Sequence, residues 1–194
     1  MGINLSIQTK EDIIELIKQD EWMMSVLAAV KTLDLPDCWI CAGFVRSKIW
    51  DALHRFTDRT PLADIDVIYF DKNNLDKMRE KEMEDQLNQI YPNLPWSVKN
   101  EARMHMISNF PPYSSSVDAI SKFPETATAL GVQLDGANNI ILAAPCGIKD
   151  IITLKVNPTS HFMKDKKRKA IYCKRVESKK WKEIWTELKI VYPK

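Results

Sequence analysis

The segment Ile65–Phe70 reads IDVIYF, and such a run of β-branched and aromatic residues in alternation predicts a strand. Two aspartates one residue apart, Asp64 and Asp66, stand at its mouth. Side chains alternate along a strand, so both carboxylates leave on the same face, about 6.6 Å apart along the backbone at ~3.3 Å per residue. A carboxylate entering a packed sheet without a partner costs several kcal/mol or shifts its pKa. An adjacent pair therefore calls for a cation. Hard oxygen ligands at this spacing suit Mg²⁺, and such a pair can hold two of these ions.

The residues upstream supply the complement. CWICA (38–42) reads as a short buried strand, Gly43 as a turn, and the following helix places Val45, Ile49, Trp50 and Leu53 on one face. A helix that starts just after a glycine offers free backbone amides and a positive dipole end to a phosphate, and Arg46 in the first turn adds a cationic fork. Metal and phosphates would meet between that helix and the acid-bearing strand.

The rest of the chain predicts an α/β (α+β) domain, a small mixed sheet flanked by helices. Thr9 and Asp12 resemble a capping box before a helix over Lys10–Lys18, and Asp20 caps a second. NLDKMREKEMEDQLNQI is a charged amphipathic helix, WSVKN a strand, and NEARMHMI, VDAISKF and PETATAL short helical pieces. GVQLDGANNIILAA is a hairpin. No linker interrupts residues 1–194, so one domain is expected, with 158–194 as a basic helical C-terminal extension whose Trp181 and Trp185 dock one face on the body. Ten basic residues against two acidic between Phe162 and Lys182 make that tail the one polyanion-friendly surface, although a solvated helix face is the simpler reading. No segment approaches the roughly 18 apolar residues of a membrane span, and no basic leader opens the chain, so no membrane contact and a cytoplasmic location are expected. The four cysteines fit reduced thiols. Cys38 and Cys41 have redox-pair spacing but sit in the apolar strand, and the three histidines lack zinc spacing.

AGFVRSKIWDAL followed by DIDVIYFD is similar to the nucleotidyltransferase superfamily that includes DNA polymerase β and the CCA-adding tRNA enzymes, in which a Gly-Gly-x-Val-Arg-Asp-like helix start precedes an Asp-x-Asp strand. Together with PLADIDVIYFD, WSVKNEARMH, PETATALGVQL and APCGIKDI, the chain resembles a family of stand-alone bacterial nucleotidyltransferase-like proteins from about Trp39 to Trp185. The resemblance implies a polymerase β-type fold and transfer of a nucleoside monophosphate from a nucleoside triphosphate to a hydroxyl, with Mg²⁺ and release of pyrophosphate. It implies Asp64 and Asp66 as catalytic, metal-binding acids and Gly43 and Arg46 at the phosphates. Ala42 and Ser47 depart from the tRNA enzymes, which have glycine and aspartate there. A third carboxylate has candidates in Glu101, Asp118 and Glu125, while Asp71 has the opposite strand parity. Lys99, Asn100 and Arg103, at a strand-to-helix junction, are candidate nucleotide contacts, with Asn100 as a helix cap the structural alternative. The absence of a separate substrate domain favours a small-molecule or protein acceptor over RNA. The alternative from another class is a non-catalytic nucleotide-sensing or partner-binding protein on the same fold.

Overall fold

The computed structural model describes residues 7–193. Thr9 closes the capping box on α1 (Lys10–Lys18), its side chain accepting from the Asp12 amide, while the Asp12 carboxylate accepts from the Thr9 amide. Asp20 caps α2 (Glu21–Lys31) by accepting from the Met23 amide. These helices bury Ile13, Ile17, Met23 and Leu27 against one face of the sheet. The chain then runs through β1 (Trp39–Cys41), α3 (Gly43–Leu53), β2 (Ile65–Tyr69), α4 (Lys77–Ile90), β3 (Trp96–Asn100) and α5 (Glu101–Ser108). After α6 (Ser116–Ile120) come β4 (Gly131–Leu134) and β5 (Ile140–Ala143), joined as the expected hairpin.

The five strands order as β3-β2-β1-β4-β5, with β2 and β3 parallel and the other neighbours antiparallel. Ile65, Val67 and Tyr69 of β2 face the large core, whereas Ile68 joins Trp39, Cys41, Ile120 and Ala129 in a smaller cluster on the opposite face. Asp66 shares the parity of Ile68 and so leaves the sheet away from the main core. Gly131 is required by packing where β4 passes β1. A Cβ there would come within 2.9 Å of Ile120 Cδ1 and 3.1 Å of Cys41 Sγ.

The remaining elements are α7 (Lys149–Ile152), β6 (Lys155–Val156), α8 (Lys166–Lys179), α9 (Trp181–Ile184) and β7 (Lys189–Ile190). The tail is less uniformly helical than expected, because β7 pairs in parallel with β6 as a second, two-stranded sheet. Tyr172 and Val176 of α8 are buried, and the Tyr172 hydroxyl reaches the carbonyls of Val156 and Val191 at 2.8 and 2.9 Å. PETATAL also differs. Residues 124–130 form turns with a single bridge from Glu125 to Pro158, since Glu125 turns inward to bond Thr128 and Arg175. No helix among the described residues is long and apolar enough to cross a membrane.

Candidate functional site

Antiparallel pairing sets Cys41 opposite Asp66. The chain leaving β1 at Ala42 and Gly43 therefore passes the chain entering β2 at Asp64. Asp64, Asp66, Gly43 and Arg46 consequently line one cavity of ≈ 320 Å³.

Ala42 makes the turn from β1 into α3 at φ 51° and ψ −112°, a conformation that L residues avoid and that costs of order 1–3 kcal/mol. Its amide donates to the Leu130 carbonyl (3.1 Å) and its carbonyl accepts from the Arg46 amide (2.9 Å), which holds the strained turn in place. Ala42 offers no side-chain cap, so the first-turn amides of this 11-residue helix have no side-chain acceptor at their cap position. A Cβ on Gly43 would lie 3.6 Å from Arg46 Nη2, an ordinary contact. The protein's own packing thus makes no demand for glycine here, and the missing side chain leaves room beside the cavity.

Arg46 is 9% exposed, and its Nε has no hydrogen-bond partner among the described residues. Its Nη2 reaches Ser47 Oγ at 3.3 Å. Among the described residues it has aromatic faces in place of a carboxylate partner, with the guanidinium 4.5 Å from the Trp181 ring centroid, 5.1 Å from Trp50 and 5.8 Å from Trp185. Burial pulls the guanidinium pKa down to about 10, with Arg175 adding to the shift while Glu125, Asp64 and Asp66 oppose it. Such a charge is destabilising unless something anionic joins it.

The cage depends on the C-terminal segment. Trp185 Nε1 donates to Asp51 Oδ1 (2.8 Å), and the same carboxylate accepts from the Thr60 hydroxyl (2.7 Å) and amide (3.0 Å). Asp51 of α3 therefore ties the tail to the loop that delivers Asp64. Arg175 and Lys179, one turn apart on α8, also line the cavity. Arg175 Nε donates to Glu125 Oε1 (2.8 Å), and Glu125, fully buried, accepts at Oε2 from the Thr128 hydroxyl (2.8 Å).

Burial and the neighbouring Asp64 charge push Asp66 up to about 6, against the pull of Arg175, Lys179 and Arg46. The pair is thus held together at a cost that a bound cation would relieve. Among the described residues no group of three His, Cys, Asp or Glu side chains forms a self-contained metal site. The oxygen donors of Asp64 and Asp66 fit a hard cation that draws its other ligands from water or phosphate.

Lys99, Asn100 and Arg103 lie elsewhere, at the other end of β2 and β3. Arg103 is bidentate to Glu80 of α4 (2.6 and 2.8 Å), and Lys99 pairs with Glu84 (3.4 Å). Asn100 caps α5 by accepting from the Ala102 amide and donates to the Asp71 and Asn74 carbonyls. Of the further acids, Asp118 pairs with Lys122 (2.6 Å) and Glu125 with Arg175, so neither is free to act beside Asp66. Glu101 is buried at the start of α5, and burial, then Asp66 and Glu80, push it up to about 7. The Asp71 carboxylate accepts from the Asn73 amide (2.8 Å). All four cysteines are free, and burial raises Cys38 to about 12 and also pushes Cys41 well above the ordinary thiol range, which disfavours the thiolates redox chemistry needs. Sequence reasoning missed Arg175, Lys179 and Thr60. The only signals for the first two were the basic run and the Trp181/Trp185 spacing that docks the segment following them.

A family model described as nucleotidyltransferase matches residues 28–190. An NMR structure described as revealing a CCA-adding enzyme head domain is 33% identical, with a TM-score of 0.87 over 98% of this chain and 100% of that one. A complex of a CCA-adding enzyme with ATP is 12% identical with a TM-score of 0.51, covering 87% of this chain and 41% of that one, and shares the fold. Among curated proteins none matches.

Proposed function

The chain belongs to the nucleotidyltransferase family, and we propose that it transfers a nucleoside monophosphate from a nucleoside triphosphate to a hydroxyl acceptor, a small molecule or a protein side chain. The observation that carries this reading is Arg46: a buried guanidinium whose Nε is unbonded and which has no carboxylate partner among the described residues, beside an acid pair in the same cavity. Buried charges are retained where a ligand completes them.

Asp64 and Asp66 hold Mg²⁺ in this reading. When bound there, Mg²⁺ supplies a Lewis acid that neutralises phosphate charge and lowers the pKa of a hydroxyl. The chain's own residues do the positioning. The open space at Gly43 lets a phosphate approach the first-turn amides of α3, and Arg46, held by its tryptophans, presents its donors without reorganising. Asp51 keeps Thr60, and through it the Asp64 loop, in register with α3.

The experiment is a thermal-shift panel of ATP, CTP, GTP and UTP with and without Mg²⁺, on wild type and on the Asp64→Asn/Asp66→Asn double variant. A ligand at 100 times its Kd adds about 2.7 kcal/mol. A metal-dependent shift in wild type that the double variant lacks supports the reading. No shift with any triphosphate sinks it, and binding without turnover on any hydroxyl acceptor would favour the nucleotide-sensing alternative.

A further inference from the structure

Resting on that nucleotide reading, we infer that α8 carries the grip for the phosphate tail: Arg175 and Lys179 bind a chain of two or more linked phosphates. Four residues apart, they share one face of the helix, and both line the cavity of the acid pair. Arg175 is anchored through Nε by Glu125, which is itself fixed by Thr128 and fully buried. The anchored nitrogen leaves the two terminal nitrogens of the fork without a bond of their own among the described residues, in an orientation that does not depend on the ligand. Lys179 is exposed and forms no ion pair among the described residues.

Neutralising Glu125 explains Arg175 but gives no reason for a second cation one turn later. Charge balance does. With a divalent cation on the acid pair and Glu125 set against Arg175, Arg46 and Lys179 leave surplus positive charge at separate points of the cavity wall, which a run of linked phosphates can meet together and a single phosphate cannot. Trp181 and Trp185, just beyond α8, clamp onto Arg46, so the helix is fixed over the cavity by the contacts that cage the guanidinium.

Titration calorimetry tests this with inorganic tripolyphosphate, ATP and AMP, each in Mg²⁺. Wild type should bind ATP more tightly than AMP. Lys179→Ala should weaken tripolyphosphate and ATP about tenfold or more and leave AMP unchanged. Arg175→Lys keeps a charge for Glu125 but loses the fork, and should act in the same direction. If both variants bind tripolyphosphate and ATP as wild type does, while Asp64→Asn/Asp66→Asn loses ATP, the α8 assignment falls and the nucleotide reading stands. If wild type binds tripolyphosphate but no nucleotide, the nucleotide reading falls and the α8 grip stands.

Discussion

Replacing Arg46 with methionine should make the ligand-free protein more stable and deprive it of its nucleotide response. The guanidinium pKa falls from 12.5 to about 10, chiefly through burial. At 1.36 kcal/mol per unit, the folded state carries the cation at a penalty of about 3 kcal/mol. The sign follows from linkage. A base whose folded pKa is depressed destabilises the fold at every pH below that value, so at pH 7 the penalty is present in full and fades only above pH 10. Cation–π contact with three tryptophans returns about 0.5–2 kcal/mol. Methionine has a comparable length and recovers some of this through sulfur–aromatic contact, about 0.3–1.5 kcal/mol. The net expectation is a gain of roughly 1–3 kcal/mol, or about 2–4 °C in Tm per kcal/mol for a domain of this size. Urea unfolding at pH 7 in EDTA measures the gain, and a repeat with ATP and Mg²⁺ measures the lost response. A variant destabilised by more than about 1 kcal/mol without ligand would show that Arg46 is a post supporting the tryptophans. A variant with an undiminished ATP shift would remove Arg46 from the phosphate site.

Gly43→Ala should leave unfolding unchanged or slightly favoured, because its Cβ makes only ordinary contact 3.6 Å from Arg46 Nη2. Triphosphate affinity should fall about tenfold as the methyl takes the space the ligand needs, and an unchanged affinity would refute the close approach. Glu101, raised from 4.5 to about 7, is expected to lose stability as pH rises between those values, by at most about 3 kcal/mol. Glu101→Gln should therefore stabilise the protein at pH 8 and not at pH 4.5; parallel denaturation curves for the two proteins across that range would contradict the burial. Trp185→Phe removes the donor to Asp51 Oδ1 and should cost about 2 kcal/mol in denaturant midpoint with an unchanged m value.

The local half of the site was legible because strand parity, a glycine turn and a helix start are written in contiguous residues. Asp64, Asp66, Gly43 and Arg46 were predicted to meet, and all four line one cavity. The two N-terminal helices were legible for the same reason, since Thr9 and Asp20 act on amides three residues away. Illegible were the features decided by distant partners. PETATAL has helical composition, yet Glu125 is drawn inward by Arg175, fifty positions later. Lys99, Asn100 and Arg103 read as available donors because nothing nearby in sequence announces that Glu80 and Glu84 of α4 take two of them, or that the β2–α4 loop takes the third. The basic tail read as a solvated face because charge runs usually are, and only the packing of α8 beside the cavity brings two of its cations into the same lining as the acids.

The tryptophan cage also sets an order of events in synthesis. Trp181 and Trp185 come far behind Arg46 in the chain and close on it only when the last tenth of the sequence is in place. At about 5–20 residues per second, the ribosome delivers them roughly 7–27 s after Arg46. For that interval the nascent protein holds its acid pair and its arginine without the tryptophans that wall their cavity. In the proposed reading nucleotide capture is therefore a late event, and a chain cut short or cleaved before α9 would lose the cage around Arg46 together with Trp181, Trp185 and Leu188 of the core.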